Sequence, residues 1–133
     1  MKTRKDFIKK IEKEGLSILK LHDKLIELNI NHEFIDRHAE ETKRIKDNKI
    51  LDIINEYNPF DYQILIRENN KEISLIQFFY SYGITQNLIE VYNFYDEPIM
   101  LDCEHAAELI INKKLNSYII ASNAVINDFN ENL

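Results

Sequence analysis

Glycine, proline and cysteine are all scarce in this chain of 133 residues, which contains two glycines, two prolines and one cysteine. Gly15 and Gly83 stand far apart, so they cannot form a glycine-rich loop that cradles a nucleotide phosphate. The lone Cys103 excludes an internal disulfide bond and fits a reducing compartment. No apolar run approaches the roughly 20 residues that a membrane-spanning helix requires. We therefore expect a soluble cytoplasmic protein that does not associate with a membrane.

Positive charge is missing from the middle of the chain, because no lysine or arginine occurs within residues 72–112. Residues 1–50 carry 13 basic and 10 acidic side chains, whereas residues 51–133 carry 4 and 13. An acidic surface repels nucleic acids and membranes and attracts basic surfaces of other proteins. The lysines of the N-terminal segment alternate with carboxylates, which is typical of a solvated helix face rather than a nucleic-acid site. We expect no direct contact with nucleic acid. The alternative interpretation of the acidic half is a solvated surface without a partner.

The first half of the chain has helical periodicity. Apolar side chains predict one long amphipathic helix over residues 4–29, in which Gly15 costs about 1 kcal/mol relative to alanine and allows a kink or break. Residues 32–36 alternate between polar and apolar and predict a short strand. The periodic residues 45–57 predict a second helix, which ends before Pro59 because proline disfavours a helical predecessor.

Two runs rich in β-branched and aromatic residues predict an antiparallel hairpin over about residues 62–80. The runs are residues 62–66 and 73–80, and a polar turn joins them. Because an isolated hairpin is marginally stable in water, a third strand or a covering helix is needed. Residues 34–35 and 99–101 are the candidates for that third strand.

Helix-capping residues follow the hairpin. Thr85 predicts the N-cap of a helix that extends to Tyr92. Asp102 predicts the N-cap of a helix over residues 103–114, with acidic residues at its start and lysines at its end, as the helix dipole favours. Residues 115–129 predict a final amphipathic helix.

These elements together predict one domain, residues 1–133, of the α+β class. Its small antiparallel sheet is packed with a long N-terminal helix and with C-terminal helices. At this length the chain buries roughly two-thirds of its unfolded surface in one core.

No catalytic or metal-binding motif is present. His105 and Glu108 are three residues apart and face the same side of a helix, but a second ligand cluster is missing from the sequence. Cys103 lies at a helix N-terminus, which favours a thiolate, whereas the adjacent Asp102 and Glu104 oppose it. We predict that the protein is not an enzyme and uses no metal or cofactor.

The acidic segment and its tyrosines form the candidate binding surface. Exposed tyrosine is enriched at the centres of protein interfaces, and the alternative interpretation of these rings is packing in the core and the sheet. The proposed acidic contacts are Glu90, Asp96, Glu97, Asp102, Glu104 and Glu108. The proposed aromatic anchors are Tyr80, Tyr82, Tyr92 and Tyr95. The expected partner is another protein with a basic groove.

Half of the chain resembles small uncharacterised proteins encoded by phages and prophages of low-GC Gram-positive bacteria. The resemblance covers a helix, turn and strand at residues 21–37, and then the motifs YQI from Tyr62, SYG ending at Gly83, LIEV at residues 88–91 and DCEHA at residues 102–106. The chain departs from that pattern at Asn31, where proline is common, and in an inserted charged helix and an extra C-terminal helix. The resemblance implies a phage accessory protein in a bacterial host cell that binds and inhibits a host protein. An anti-CRISPR or other anti-defence inhibitor is the most concrete form.

Two alternatives come from other functional classes. The first is a small-ligand protein that sequesters a signalling nucleotide. Arg67 and Lys71 are its candidate basic groups, and the lack of positive charge in residues 72–112 disfavours it. The second is a structural homo-oligomer, such as a homodimer formed through the hairpin edge or the terminal helix.

Overall fold

Five helices and five strands make up the part of the chain that the computed structural model describes, namely residues 4–68, 71–94 and 96–112. The helices are α1 (Arg4–Glu14), α2 (Ser17–Glu27), α3 (Arg37–Thr42), α4 (Asn48–Tyr57) and α5 (Cys103–Ile111). The strands are β1 (Glu33–Asp36), β2 (Asp61–Glu68), β3 (Lys71–Phe78), β4 (Ile89–Tyr92) and β5 (Ile99–Leu101), and a 3-10 turn spans Ile84–Gln86. None of the described helices is both long and apolar enough to cross a bilayer.

The strands form one antiparallel sheet in the order β1-β2-β3-β4-β5. The predicted hairpin is its centre, because β2 and β3 pair along their whole length, with Ile64 opposite Leu75. The predicted α+β class is therefore confirmed, and the sheet is larger than the hairpin. Both candidate third strands belong to it: β1 pairs with β2, and β5 pairs with β4.

One face of the sheet carries the core. Alternate residues of the central strands, such as Ile64, Leu75 and Val91, are at most 1% exposed. Helix α2 packs against β2 and β3 on this face, and α5 packs beside α2. Ile18 and Leu21 of α2 are fully buried, and burial of each such side chain contributes about 1.5–3 kcal/mol.

The helix predicted to follow residue 83 is wrong. Gly83 and Asn87 both have left-handed backbones, with φ of 79° and 57°, so the chain makes one 3-10 turn and then reverses. The following residues form β4 and pair with β3. Ile89 and Val91 face the core while Glu90 points to the opposite face, which is the two-residue period of a strand.

The long N-terminal helix predicted from the sequence is two helices, and the break lies at Gly15. Its φ of 87° ends α1, and Leu16 then has an extended backbone before α2 begins. Leu16 is buried in the core. The apolar periodicity therefore continues across residues 4–29, although the backbone breaks at Gly15, where the sequence allowed a kink or break.

Aspartates cap the other helices. The Asp102 carboxylate accepts a backbone N–H from the first turn of α5, which confirms its predicted role. Asp47 caps α4, which confirms the second predicted helix with a start at Asn48. Asp36 caps α3, a short helix that the sequence patterns did not predict. The helix predicted for residues 115–129 lies outside the described residues.

The side chain of Asn87 supplies the N-terminal cap that α2 lacks within its own sequence. Its Oδ1 accepts the backbone N–H of Ser17 at 3.0 Å, and its Nδ2 donates to the carbonyl of Gly15 at 2.8 Å. The fully buried Gln77 accepts the N–H of Ile18 at 2.9 Å and donates to Asn87 Oδ1 at 2.7 Å. These bonds fasten the start of α2 to the end of β3.

Replacing Asn87 with alanine leaves two partly buried backbone groups and Gln77 without these partners. We expect Asn87→Ala to lower the free energy of unfolding by about 2–4 kcal/mol, measured by urea denaturation followed by circular dichroism. Asn93 is a matched control, because it is exposed and also left-handed, with φ of 67°. Asn93→Ala should cost about 1 kcal/mol from backbone strain. Equal losses in the two variants would show that the hydrogen bonds do not contribute.

His22 and His32 form a hydrogen bond that links α2 to the segment before β1. The Nδ1 of His32 lies 2.8 Å from the carbonyl oxygen of Ile30, so this nitrogen must carry a proton. Its Nε2 then accepts from His22 Nδ1 at 2.8 Å. The ring of His22 also stacks on Phe34. Burial lowers the pKa of His22, nearby His32 lowers it further, and Asp23 opposes the shift.

Because the pKa of His22 is lower in the folded chain than its ordinary value of 6.5, the folded state binds fewer protons than the unfolded state. The stabilisation is fully present above that ordinary value and is lost as the pH falls through the folded pKa. We expect the free energy of unfolding, measured by urea denaturation, to decline from about pH 7.5 to about pH 5. The decline should be smaller in His22→Gln than in the unchanged protein, and an equal decline in the two would contradict the assignment.

Candidate functional site

Strand β5 divides the exposed acidic side chains into two groups. Asp96 and Glu97 lie in the turn before β5, whereas Asp102 and Glu104 lie after it, at the start of α5. At about 3.3 Å per extended residue, the two groups are roughly 15 Å apart. Glu108 is exposed further along α5 and extends the second group. The structure therefore presents two acidic regions instead of one continuous surface.

Glu90 lies apart from both acidic groups, because it is only 4% exposed. It projects from β4 on the face opposite the core, and its register neighbours are Ile76 and Met100. Tyr92 projects from the same face, and its pKa is raised by burial and by its hydrogen bond to Glu90. The sequence placed Glu90 on an accessible helix. As a strand residue it is enclosed by its neighbours on both sides, so it cannot contact a partner directly.

The same face of the sheet carries a second polar chain, near its β1 edge. The Nε of Arg37 donates to Gln63 Oε1, and Gln63 Nε2 donates to Ser74 Oγ at 2.8 Å. These side chains satisfy one another's hydrogen-bonding capacity across β2 and β3. This face is therefore held by internal polar contacts, and the Arg37 guanidinium is engaged in them.

A shallow groove of about 640 Å³ runs between α2 and the start of α5. Four carboxylates and two ammonium groups line it, together with a thiol and a hydroxyl. The lining residues are Ser17, Lys20, Asp23, Lys24, Glu27, Asp102, Cys103 and Glu104. The fold thus brings two lysines to a segment that has none in its own sequence. Sequence reasoning missed this because α2 lies about 80 residues away from α5 along the chain.

Cys103 is half-buried at the edge of this groove. Burial raises the pKa of its thiol. Lys24 lowers that pKa and Asp102 raises it, so the nearby charges partly oppose each other. The thiol is therefore held in its protonated form, in which it is a poor nucleophile.

The predicted tyrosines lie at different positions. Tyr82 is 78% exposed, and Tyr80 is 59% exposed with its hydroxyl donating to the carbonyl of Tyr57. Next to Tyr82, the backbone of Gly83 packs so closely on Met100 of β5 that an added Cβ would lie 3.1 Å from its sulfur. Tyr82 therefore lies beside the Met100 side chain of β5, and it is near enough to Tyr92 to contribute to the raised pKa of that side chain. Tyr92 is half-buried, and Tyr95 lies outside the described residues.

The outer face of α4 is an exposed apolar surface that the sequence did not single out. Ile50, Ile53 and Tyr57 are 49%, 56% and 64% exposed, and α4 has no buried residue. The sequence does contain a signal for this surface. When Leu51 and Ile54 are added to the three exposed residues, the apolar side chains of α4 span an arc of roughly 160°, whereas one packed face needs only about 100°. Only the inner part of that arc is partly buried.

The residues considered as metal ligands do not converge. Within the described ranges, no group of three or more histidine, cysteine or carboxylate side chains could hold a metal ion. His105 Nδ1 lies 2.8 Å from Asp102 Oδ1, so this ring takes part in the cap of α5.

Comparisons of the chain with protein-family models, with curated proteins and with solved structures found no match. The resemblance to phage proteins stays a prediction. Function is therefore inferred from the surfaces described above.

The raised pKa of Cys103 predicts slow alkylation. We expect iodoacetamide to modify the native protein near neutral pH several-fold more slowly than it modifies the same protein in denaturant, because the folded thiol is half-buried and protonated. Mass spectrometry follows the reaction without ambiguity, since the chain has one cysteine. Faster modification of the folded protein would instead identify an activated thiolate.

Proposed function

We propose that this protein acts without catalysis, by binding a basic surface of another protein. The observation that supports this proposal is the placement of the exposed Tyr82 next to Met100 of β5, the strand that leads into the carboxylates of Asp102 and Glu104. Tyrosine supplies a large contact area at low entropic cost, and a single such anchor often carries much of the binding energy. Surrounding carboxylates steer a basic partner and exclude an acidic one.

The charges of the groove indicate the sign of the partner. Four carboxylates face two ammonium groups there, and Glu108 is exposed further along α5. A cationic segment is therefore attracted to the groove. Lys20 and Lys24 add a constraint, because they repel a partner that is uniformly basic and select one with an acidic group at the matching position.

The groove is less suited to a signalling nucleotide, the alternative ligand. Its volume is within the range of small-molecule sites, yet its carboxylates oppose phosphate groups. The arginine considered for that role is engaged elsewhere, because Arg67 contacts Glu33 at 2.9 Å and Glu72 at 2.7 Å. Lys71 lies over the ring of Phe94.

The more specific form of the proposal is inhibition of a host protein by a phage protein, with an anti-CRISPR or other anti-defence inhibitor as the most concrete case. Its support is the sequence resemblance alone. In this form the acidic groove competes with nucleic acid for a basic site on the target. The target is then a nucleic-acid-binding protein, and binding weakens as salt screens the charges.

Affinity capture from a lysate of a low-GC Gram-positive bacterium tests the proposal, followed by titration of the captured protein. We expect Tyr82→Ala to weaken the affinity about 30-fold, because truncation of a central aromatic anchor typically costs about 2 kcal/mol. Glu104→Lys should mainly slow association and reduce its salt dependence.

Glu41→Lys is the matched control, since it reverses an exposed charge on α3 and should leave binding unchanged. Equal capture by all three variants would exclude the surface formed by Tyr82, Asp102 and Glu104, here called the Tyr82 surface. Isothermal titration calorimetry against a panel of nucleotides tests the alternative ligand. A heat of binding that is present in the unchanged protein and absent in Lys20→Ala would favour the nucleotide alternative.

A further inference from the structure

The exposed face of α4 is separate from the proposed binding groove, because no residue of α4 lines that groove. We propose that this face pairs with α4 of a second copy of the same chain in an antiparallel arrangement. The pairing places the stripe formed by Ile50, Ile53 and Tyr57 of one protomer against the same stripe of its partner.

The geometry of α4 separates an inner face from an outer face. Leu51 and Ile54 are half-buried, whereas Ile50, Ile53 and Tyr57 are about half exposed or more. At 100° per residue, the three exposed side chains lie within an arc of about 60° along two turns. They form a continuous apolar stripe, which is the form that pairs with another helix.

The stripe continues beyond the helix. The hydroxyl of Tyr80 donates to the carbonyl of Tyr57 at 2.7 Å, so the ring of Tyr80, 59% exposed, stands at the C-terminal end of α4. Two helices and two tyrosine rings provide an interface near the lower end of the range for specific complexes, about 1,200 Å². The dimer is therefore expected to be weak and concentration-dependent.

Charges along α4 favour a second copy in the antiparallel direction. Lys49 lies in the first turn and Glu56 in the last, with no acidic residue in the first turn and no basic residue in the last. This order is unfavourable to the dipole of the helix itself. In an antiparallel pair, Lys49 lies beside the C-terminal end of the partner helix, and Glu56 lies beside its N-terminal end.

The two charged residues also complement each other across the pair. Lys49 and Glu56 are seven residues apart, so they lie on the same edge of the stripe. A two-fold axis near Ile53 brings that edge against the same edge of the partner, with each lysine opposite a glutamate. In a parallel pair this edge would face the opposite edge of the partner stripe, so the lysines and glutamates would not meet. The carboxylates of Asp52 and Glu56 oppose a nucleic acid as occupant.

Sedimentation velocity of the full chain from about 1 to about 300 µM tests the pairing, because weak dimers dissociate within this range. Dimer formation is expected at high concentration, and Ile53→Lys should leave the protein monomeric throughout. Ile26→Lys is the matched control, since Ile26 is 57% exposed on α2 and should leave the dimer unchanged. A wild-type protein that stays monomeric overturns the proposal.

Charge reversal distinguishes the antiparallel pair from any other use of this face. Lys49→Glu and Glu56→Lys should each weaken dimerisation about tenfold, because the symmetry introduces two like-charge contacts. Together they should restore it. Lys49→Glu should also stabilise the monomer slightly, because a negative charge in the first turn is favourable to the helix dipole. If Lys49 affected only the stability of the monomer, this variant would stabilise the monomer without weakening the dimer.

Failure of the double variant to restore the dimer overturns the antiparallel register. A much larger loss of unfolding free energy in Ile53→Lys than in Ile26→Lys indicates that another part of the same chain covers the stripe, which also overturns the pairing. Both results are independent of the Tyr82 surface, so they leave the proposed function to its own test.

Discussion

Satisfaction of the backbone amides at the start of α2 is the constraint on which the remaining structure depends. The chain breaks its first helix at Gly15, and the new helix has no capping side chain of its own. Asn87 and Gln77, which lie 59 to 70 residues further along, supply the missing acceptors. Buried amides without partners cost about 1–3 kcal/mol each. This requirement holds α2 against the end of β3 and so places the helix on the core face of the sheet.

The position of α2 then determines the electrostatics of the surface. Helix α5 packs beside α2, and the two enclose the groove. Lys20 and Lys24 are thereby brought against a segment that lacks positive charge of its own. The result is a groove that contains charges of both signs with an excess of carboxylates. Such a groove is more selective than a uniformly acidic face, because a partner must match the positions of the charges as well as their overall sign. Cys103, at its edge, is half-buried as a consequence of the same packing.

Features that depend on neighbouring residues were predicted well. The hairpin, the cap at Asp102 and the glycine break follow from β propensity, side-chain capping and backbone freedom, each of which acts within a few residues. Strand β4 was missed because four residues between two left-handed positions carry too little periodicity to distinguish a strand from a helix. The left-handed backbone of Asn87 is sustained by its side-chain bonds to Gly15 and Gln77, and a sequence does not reveal such distant partners.

The same division applies to the candidate site. Composition and order along the chain were sufficient to establish an acidic second half, a single cysteine and a tyrosine-rich turn, because these are properties of the residues alone. Exposure was not predictable in this way. Strand register and helix docking decide three things: the burial of Glu90, the approach of two lysines to the acidic segment, and the exposure of an apolar face on α4. Register and docking are set by contacts between residues distant in sequence, and the free energy of those contacts exists only once the chain has folded.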